Sequence, residues 1–280
     1  MIELPEVETI HRDLEREVVG KRIKSVDVHL VKGVARSGNK AKFRAALDGA
    51  KITGVDRRGV WLLAALDNEF TLVINLGNSG RLTRTANKDP LVKKTVAVIG
   101  FTQKGQLRLV DPSSKAVIFT VATEELEEKV PELGALGLDP IEQPISWVRF
   151  GEILLSHQLK LKTLLTDDSI VTGIGDVYSD EILFNAGLRY DRLSDSLSTQ
   201  EFRRFYRALV ETLHDAVKYR GSSFEDDDDG YLDLFGKPGS YQDHLSVFRK
   251  EGELSPRSRR PIAKAKFGKG WTYYCEQSQV

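Results

Sequence analysis

Residues 1–11, Met1-Ile2-Glu3-Leu4-Pro5-Glu6-Val7-Glu8-Thr9-Ile10-His11, set the reading of the whole chain. Pro5 suits a first helical turn, and Glu6 and Glu8 suit the positive end of a helix dipole. Val7, Ile10, Leu14 and Val18 recur at helical spacing and predict one buried face, with Gly20 ending the helix. Glu3 stands just ahead of that helix, near the amine of the first residue. A carboxylate beside an amine can support proton transfer and imine chemistry. The same residues also make an ordinary acidic capping turn.

Working outward, Lys24 to His29 alternates like a half-buried strand. From there to about residue 130 the pattern reads as short strands, at 51–55, 60–63, 70–74, 97–99, 106–110 and 116–119. Turn residues punctuate them, which predicts a β-sandwich rather than a parallel sheet. Pro131 to Pro144 is rich in Gly and Pro and reads as a linker. Helical spacing follows at 147–155, 159–165, 177–186 and 199–219, and residues 244–280 return to hairpin composition.

The 280 residues suffice for two domains. No apolar run reaches the ~18 residues a membrane span needs, and Glu3, Glu6 and Glu8 occupy the place of a basic signal-peptide start. A cytoplasmic protein is expected. A single Cys275 excludes an internal disulfide and an all-Cys zinc site. The 41 basic and 41 acidic residues cancel, which argues against strong non-specific nucleic-acid binding. The cancellation hides segregation: 225–229 is an acidic block, whereas 249–269 is rich in Arg and Lys. No His pairs with Cys or His at metal spacing, and Ser79, Ser113 and Ser114 lack an evident triad partner.

Thr172-Gly173-Ile174-Gly175-Asp176-Val177-Tyr178 places two glycines ahead of a helix. Free backbone N–H groups there favour an anion, although a packing turn needs the same glycines.

Glu3-Leu4-Pro5-Glu6-Val7-Glu8-Thr9 resembles the start of the Fpg/Nei family of formamidopyrimidine-DNA glycosylases, which begins Met-Pro-Glu-Leu-Pro-Glu-Val-Glu-Thr. The family's N-terminal Pro is its nucleophile and the following Glu its acid–base residue. Here Ile2 stands at the Pro position, so Met1, Ile2, Glu3 and Glu6 are the catalytic candidates that the resemblance implies. Arg57-Arg58-Gly59-Val60 resembles the strand carrying the family's catalytic Lys, with Val60 at the Lys. Asn75-Leu76-Gly77-Asn78-Ser79-Gly80 resembles His-Leu-Gly-Met-Ser-Gly, and Asp111-Pro112-Ser113-Ser114-Lys115 resembles Asp-Pro-Arg-Arg-Phe. Those motifs supply the wedge that fills the gap left by a flipped base. Asn78, Ser113 and Lys115 replace bulky insertion with short or flexible polar groups.

Residues 164–188 resemble the family's helix–two-turn–helix, which grips a phosphate partly through an Asn. Asp176 holds that position and cannot donate, leaving the N–H groups of Gly173 and Gly175. The finger's Cys positions read Ser255, Ser258, Cys275 and Ser278, so the resemblance implies a zinc-less hairpin. Its phosphate-binding Arg aligns with Gly270, next to Lys269. Trp271, Tyr273 and Tyr274 are candidates for a small core replacing the metal.

The expectation is an α+β chain: an N-terminal helix and β-sandwich at 1–130, a linker at 131–146, a helix–two-turn–helix domain at 147–240 and a zinc-less finger at 241–280. The partner is damaged or abasic double-stranded DNA lying between the domains. Contacts would come from Arg58, Asn78, Ser113, Lys115, Gly173, Gly175, Asp176, Tyr178 and Lys269. A monomer without cofactor or metal is expected. Three functions fit: a DNA glycosylase of base-excision repair, one with altered or lost activity, or a non-catalytic module binding DNA structure or a protein.

Overall fold

Helix α1 (Leu4–Val18) begins with a capping box, in which Glu3 and Glu6 satisfy each other's backbone N–H groups, and has Pro in its first turn. It buries Val7, Ile10, Leu14 and Val18, the stripe expected from their spacing. The computed structural model describes residues 2–142, 145–224 and 230–280. Met1, the linker's end at Pro144 and the acidic block 225–229 lie outside those residues.

The chain divides into two units, Met1–Gly134 with Tyr219–Ser240, and Ala135–Lys218 with Tyr241–Val280. In the first, α1 is followed by β1 (Ile23–Val28), the single turn α2 (Val31–Val34), α3 (Lys40–Leu47), β2 (Ile52–Arg58), β3 (Trp61–Leu66), β4 (Phe70–Asn75), β5 (Arg81–Thr85), β6 (Thr95–Phe101), β7 (Gln106–Val110), β8 (Val117–Ala122) and the turn α4 (Leu126–Lys129). Two antiparallel four-stranded sheets form, ordered β1-β6-β7-β5 and β2-β3-β4-β8. Ile99 and Leu107 from one, Leu62 and Ile74 from the other, and Ile10 and Leu14 of α1 share one core. The sandwich expected from alternation is therefore present.

Two local readings change. The strand-rich expectation after His29 misses α3, where Phe43, Ala46 and Leu47 are buried at helical spacing and Asn39 Oδ1 accepts the Lys42 N–H at 2.9 Å. It also misses β5, whose only buried residue is Leu82.

The second unit holds α5 (Trp147–Leu155), α6 (Leu161–Leu165), α7 (Asp176–Ala186) and α8 (Thr199–Lys218), then a hairpin of β9 (Ala263–Phe267) and β10 (Gly270–Tyr274). Helix α8 is amphipathic, with Phe202, Phe205, Leu209 and Leu213 inward. Helix α7 is buried on most of its surface and stops at Gly187, whose φ of 69° makes a left-handed cap.

The expected boundaries shift accordingly. Residues 219–240, assigned from sequence to the helical domain, group with the sandwich, because Tyr231 and Leu234 enter its core and Arg220 pairs with Asp13 of α1. Residues 135–146, read as linker, group with the helices, as Leu138 bridges to Val171. The finger hairpin groups with those helices as well.

Candidate functional site

The head of α1 is built around two buried carboxylates. Ile2 is 9 % exposed and its side chain belongs to the sandwich core. Glu3 and Glu6 are buried behind it. Glu6 Oε2 accepts the Glu3 N–H at 2.9 Å, and Glu6 Oε1 accepts the Ser222 N–H at 2.8 Å. Burying a carboxylate is costly unless such donors meet it. Ser222 reaches Glu6 through a left-handed backbone at Arg220 (φ 62°) and Gly221 (φ 81°). A Cβ on Gly221 would lie 2.7 Å from Glu6 Oε1, so only glycine permits this approach. Arg220 is held in its unusual conformation by ion pairs to Asp13 and Asp233. This loop escaped the sequence reading, since its partners lie some two hundred residues away.

Glu8 lies two residues on. Burial alone would raise its carboxyl, but the His11 ring 3.4 Å away, with the hydrogen bond and charge of Arg57, holds it at about 2. The Arg57 Nε–Glu8 Oε2 distance is 2.7 Å, with Arg57 itself buried. Val60, at the position of the family's Lys, packs against the core. Arg58, an expected DNA contact, is ion-paired with Glu127.

The two wedge segments lie side by side. Gly77 (φ 57°) approaches the backbone of Lys115 so closely that a Cβ would sit 3.2 Å from its carbonyl carbon. Asn78, Ser113 and Lys115 are all exposed. The Ser113 N–H and hydroxyl donate to Asp111 Oδ1 at 3.1 and 3.0 Å, which fixes that loop.

In the second unit the glycine turn differs from its expected role. The Gly173 N–H donates to Asp168 Oδ1 at 2.7 Å, so it serves the turn itself. Tyr178, expected to touch DNA, is 1 % exposed and packs against Tyr241 at 5.7 Å between ring centres. Gly175 is the N-cap of α7, and Asp176 follows with its carboxylate partly exposed. Beneath it lies Lys162, a buried cation that the sequence did not flag. Its Nζ is 2.8 Å from Asp180 Oδ1 and 3.3 Å from Asp176 Oδ1. Asp176 therefore does not present an uncompensated charge. Burial pushes the Asp180 carboxyl above its usual range, opposed by the Lys162 charge and by hydrogen bonds from Lys162, Thr272 and Tyr273.

The hairpin is pinned to the same helix. The Thr272 hydroxyl and Tyr273 N–H donate to Asp180 at 2.5 and 2.8 Å. Glu181, fully buried, accepts the N–H groups of Ser246, Val247 and Phe248 at 2.7–2.8 Å. Ser258 Oγ and Ser278 Oγ lie 3.1 and 3.4 Å from Cys275 Sγ, in the place of the family's zinc site. One thiol among hydroxyls does not fit structural zinc. Among the described residues, no group of His, Cys, Asp and Glu could hold a metal, and no helix is long and apolar enough to cross a membrane. Tyr273 joins Phe184, Val247, Ile262 and Cys275 in a small core. Lys269 is exposed at the hairpin turn.

Comparison with known proteins places these features. Residues 1–117 match the formamidopyrimidine-DNA glycosylase N-terminal domain, and residues 136–228 match the formamidopyrimidine-DNA glycosylase H2TH domain. The chain is 34% identical to a formamidopyrimidine-DNA glycosylase of Pelotomaculum thermopropionicum over 100% of this chain and 99% of the relative. It is 35% identical to that of Heliobacterium modesticaldum over the full length of both. Among solved structures, Lactococcus lactis Fpg in complex with abasic-site DNA superposes with a TM-score of 0.89 at 27% identity, covering 99% of each chain. The same protein with N7-benzyl-Fapy-dG DNA gives 0.88. The two domain matches and the full-length relatives agree with the sandwich, turn and hairpin described above: this chain belongs to the formamidopyrimidine-DNA glycosylase family.

Proposed function

We propose that this chain binds damaged or abasic duplex DNA and that the oxidised-purine glycosylase and lyase chemistry of the family is altered or lost in it. The observation that carries this reading is Ile2, which stands at the position of the family's nucleophilic proline with its side chain packed into the core. Isoleucine offers a primary amine at best, and its buried side chain restricts where that nitrogen can move. Reaction geometry tolerates little of this, since a ~1 Å misplacement can cost about 10²-fold in rate. Val60 removes the family's catalytic cation, and Asn78, Ser113 and Lys115 leave no bulky wedge to stabilise a flipped base. Support for DNA as partner comes from the family and from its solved relative, whose structures are complexes with abasic-site and lesion-containing DNA.

The test is to mix the protein with a duplex carrying one abasic site, add borohydride, and measure binding in parallel. The expected result is salt-dependent binding without a trapped covalent adduct. Efficient trapping that is abolished by blocking the α-amine, together with excision of 8-oxoguanine, would overturn the proposal. Absence of binding at any moderate salt would remove DNA as the partner.

A further inference from the structure

Trp271 breaks the pattern of the finger. Its neighbours Tyr273 and Tyr274, on opposite faces of the strand, each pack on a ring, at 5.3 Å from the Phe248 ring and 5.0 Å from the Tyr190 ring respectively. Trp271, a candidate for the same small core, is instead 50 % exposed. A large aromatic held in water forfeits its burial energy.

Its backbone is nevertheless tied to buried charges. The Trp271 carbonyl accepts from buried Lys162 Nζ at 3.4 Å, and the next two residues are both bound to Asp180. The same lysine bonds Asp176 at the mouth of the glycine turn. Gly270 adjoins that carboxylate, since a Cβ there would lie 3.1 Å from Asp176 Oδ2. The indole is thus an exposed ring on a fixed mount beside the turn.

Basic residues neighbour it. Lys264 Nζ lies 4.7 Å from the ring centre while also pairing with Glu251 at 3.3 Å, Lys266 is the cross-strand partner of Trp271, and Lys269 is exposed at the hairpin turn. An aromatic platform flanked by lysines is the arrangement that binds an unstacked nucleotide, with the base on the ring and the phosphate among the cations.

We propose that Trp271 stacks on an unpaired DNA base and gives this chain a preference for duplexes with a single-stranded gap over intact ones. The inference rests on the DNA-binding reading above and extends it to the structure recognised. It needs no glycosylase step.

The experiment compares wild type, W271A and W271F, all full-length, on an intact duplex and on the same duplex with a short gap. Wild type should favour the gapped duplex. W271A should lose roughly 5–150-fold on it, the range that one stacked base accounts for, and lose less on the intact duplex. W271F keeps a ring and should retain most of the preference. Gapped DNA should also quench wild-type tryptophan emission, and the quench should vanish in W271F while binding persists. Equal affinity of wild type and W271A for gapped DNA, or no quench, would overturn the stack alone. Failure of wild type to bind either duplex would overturn the DNA-binding reading and the stack with it.

Discussion

Lys162→Met is the most informative single perturbation of the second unit. The substitution keeps the stem length and removes the charge. Lys162 and Asp180 are both essentially excluded from solvent and 2.8 Å apart. Removing one member of such a pair typically costs about 3–5 kcal/mol, because the other charge stays buried. The lost hydrogen bond to the Trp271 carbonyl adds roughly 1 kcal/mol. The loss at Asp176 is small, since that carboxylate can turn to water. The melting midpoint should therefore fall by roughly 8–24 °C. K162M with D180N should recover most of this, since asparagine stays neutral and its oxygen can still accept from Thr272 and Tyr273. The pH dependence has a defined sign. A carboxyl whose folded pKa is raised stabilises the fold at low pH and loses that contribution as pH rises through the folded value. Burial already raises Asp180, and losing Lys162 raises it further. The K162M deficit should thus shrink between mildly alkaline and mildly acidic buffer. A thermal scan showing a loss below about 1 kcal/mol, the value of an exposed pair, would refute the buried cluster.

Three further outcomes follow from the same structure. Glu8, held at about 2 by His11 and Arg57, contributes stability that is fully present above its unfolded value near 4.5 and is lost as pH falls toward 2; an acid titration of E8Q should lack that slope. Gly221→Ala combines a left-handed φ with a 2.7 Å clash on Glu6, whereas Gly49→Ala has a similar φ and no atom within 4 Å. Denaturant midpoints should give G49A about 1 kcal/mol of loss and G221A clearly more, with faster proteolysis near residue 221; equal losses would contradict the Glu6–Ser222 contact. A metal chelator should leave the melting midpoint unmoved, given the serines around Cys275; a drop would reveal a metal.

What could be read from the sequence was what neighbouring residues encode. Strand β7 coincides with the 106–110 expectation, and α5, α7 and α8 fall within a residue of theirs, because periodicity is a local property. Strand β5 was missed for the same reason: with Leu82 as its single buried residue it has no alternation to see, and its pairing with β7 makes it a strand. The candidate site divides along the same line. Glu3 and Glu6 were visible as a capping pair, but the use of Glu6 as an anchor depends on Ser222, and the loop's conformation depends on Arg220 meeting Asp13 and Asp233. No local pattern announces an ion pair across two hundred positions. The glycine turn is the clearest case. Its motif predicted an anion-binding corner with one misplaced carboxylate, whereas the structure supplies Lys162, from the preceding helix, as a counter-charge shared by Asp176, Asp180 and the Trp271 carbonyl. Asp176, Asp180, Gly270 and Trp271 therefore have to be judged together. A substitution restoring Asn at 176 alone would leave Lys162 with one carboxylate fewer, and one restoring Arg at 270 alone would place its Cβ against Asp176. These residues form one unit, and its constraint is electrostatic balance around one buried lysine.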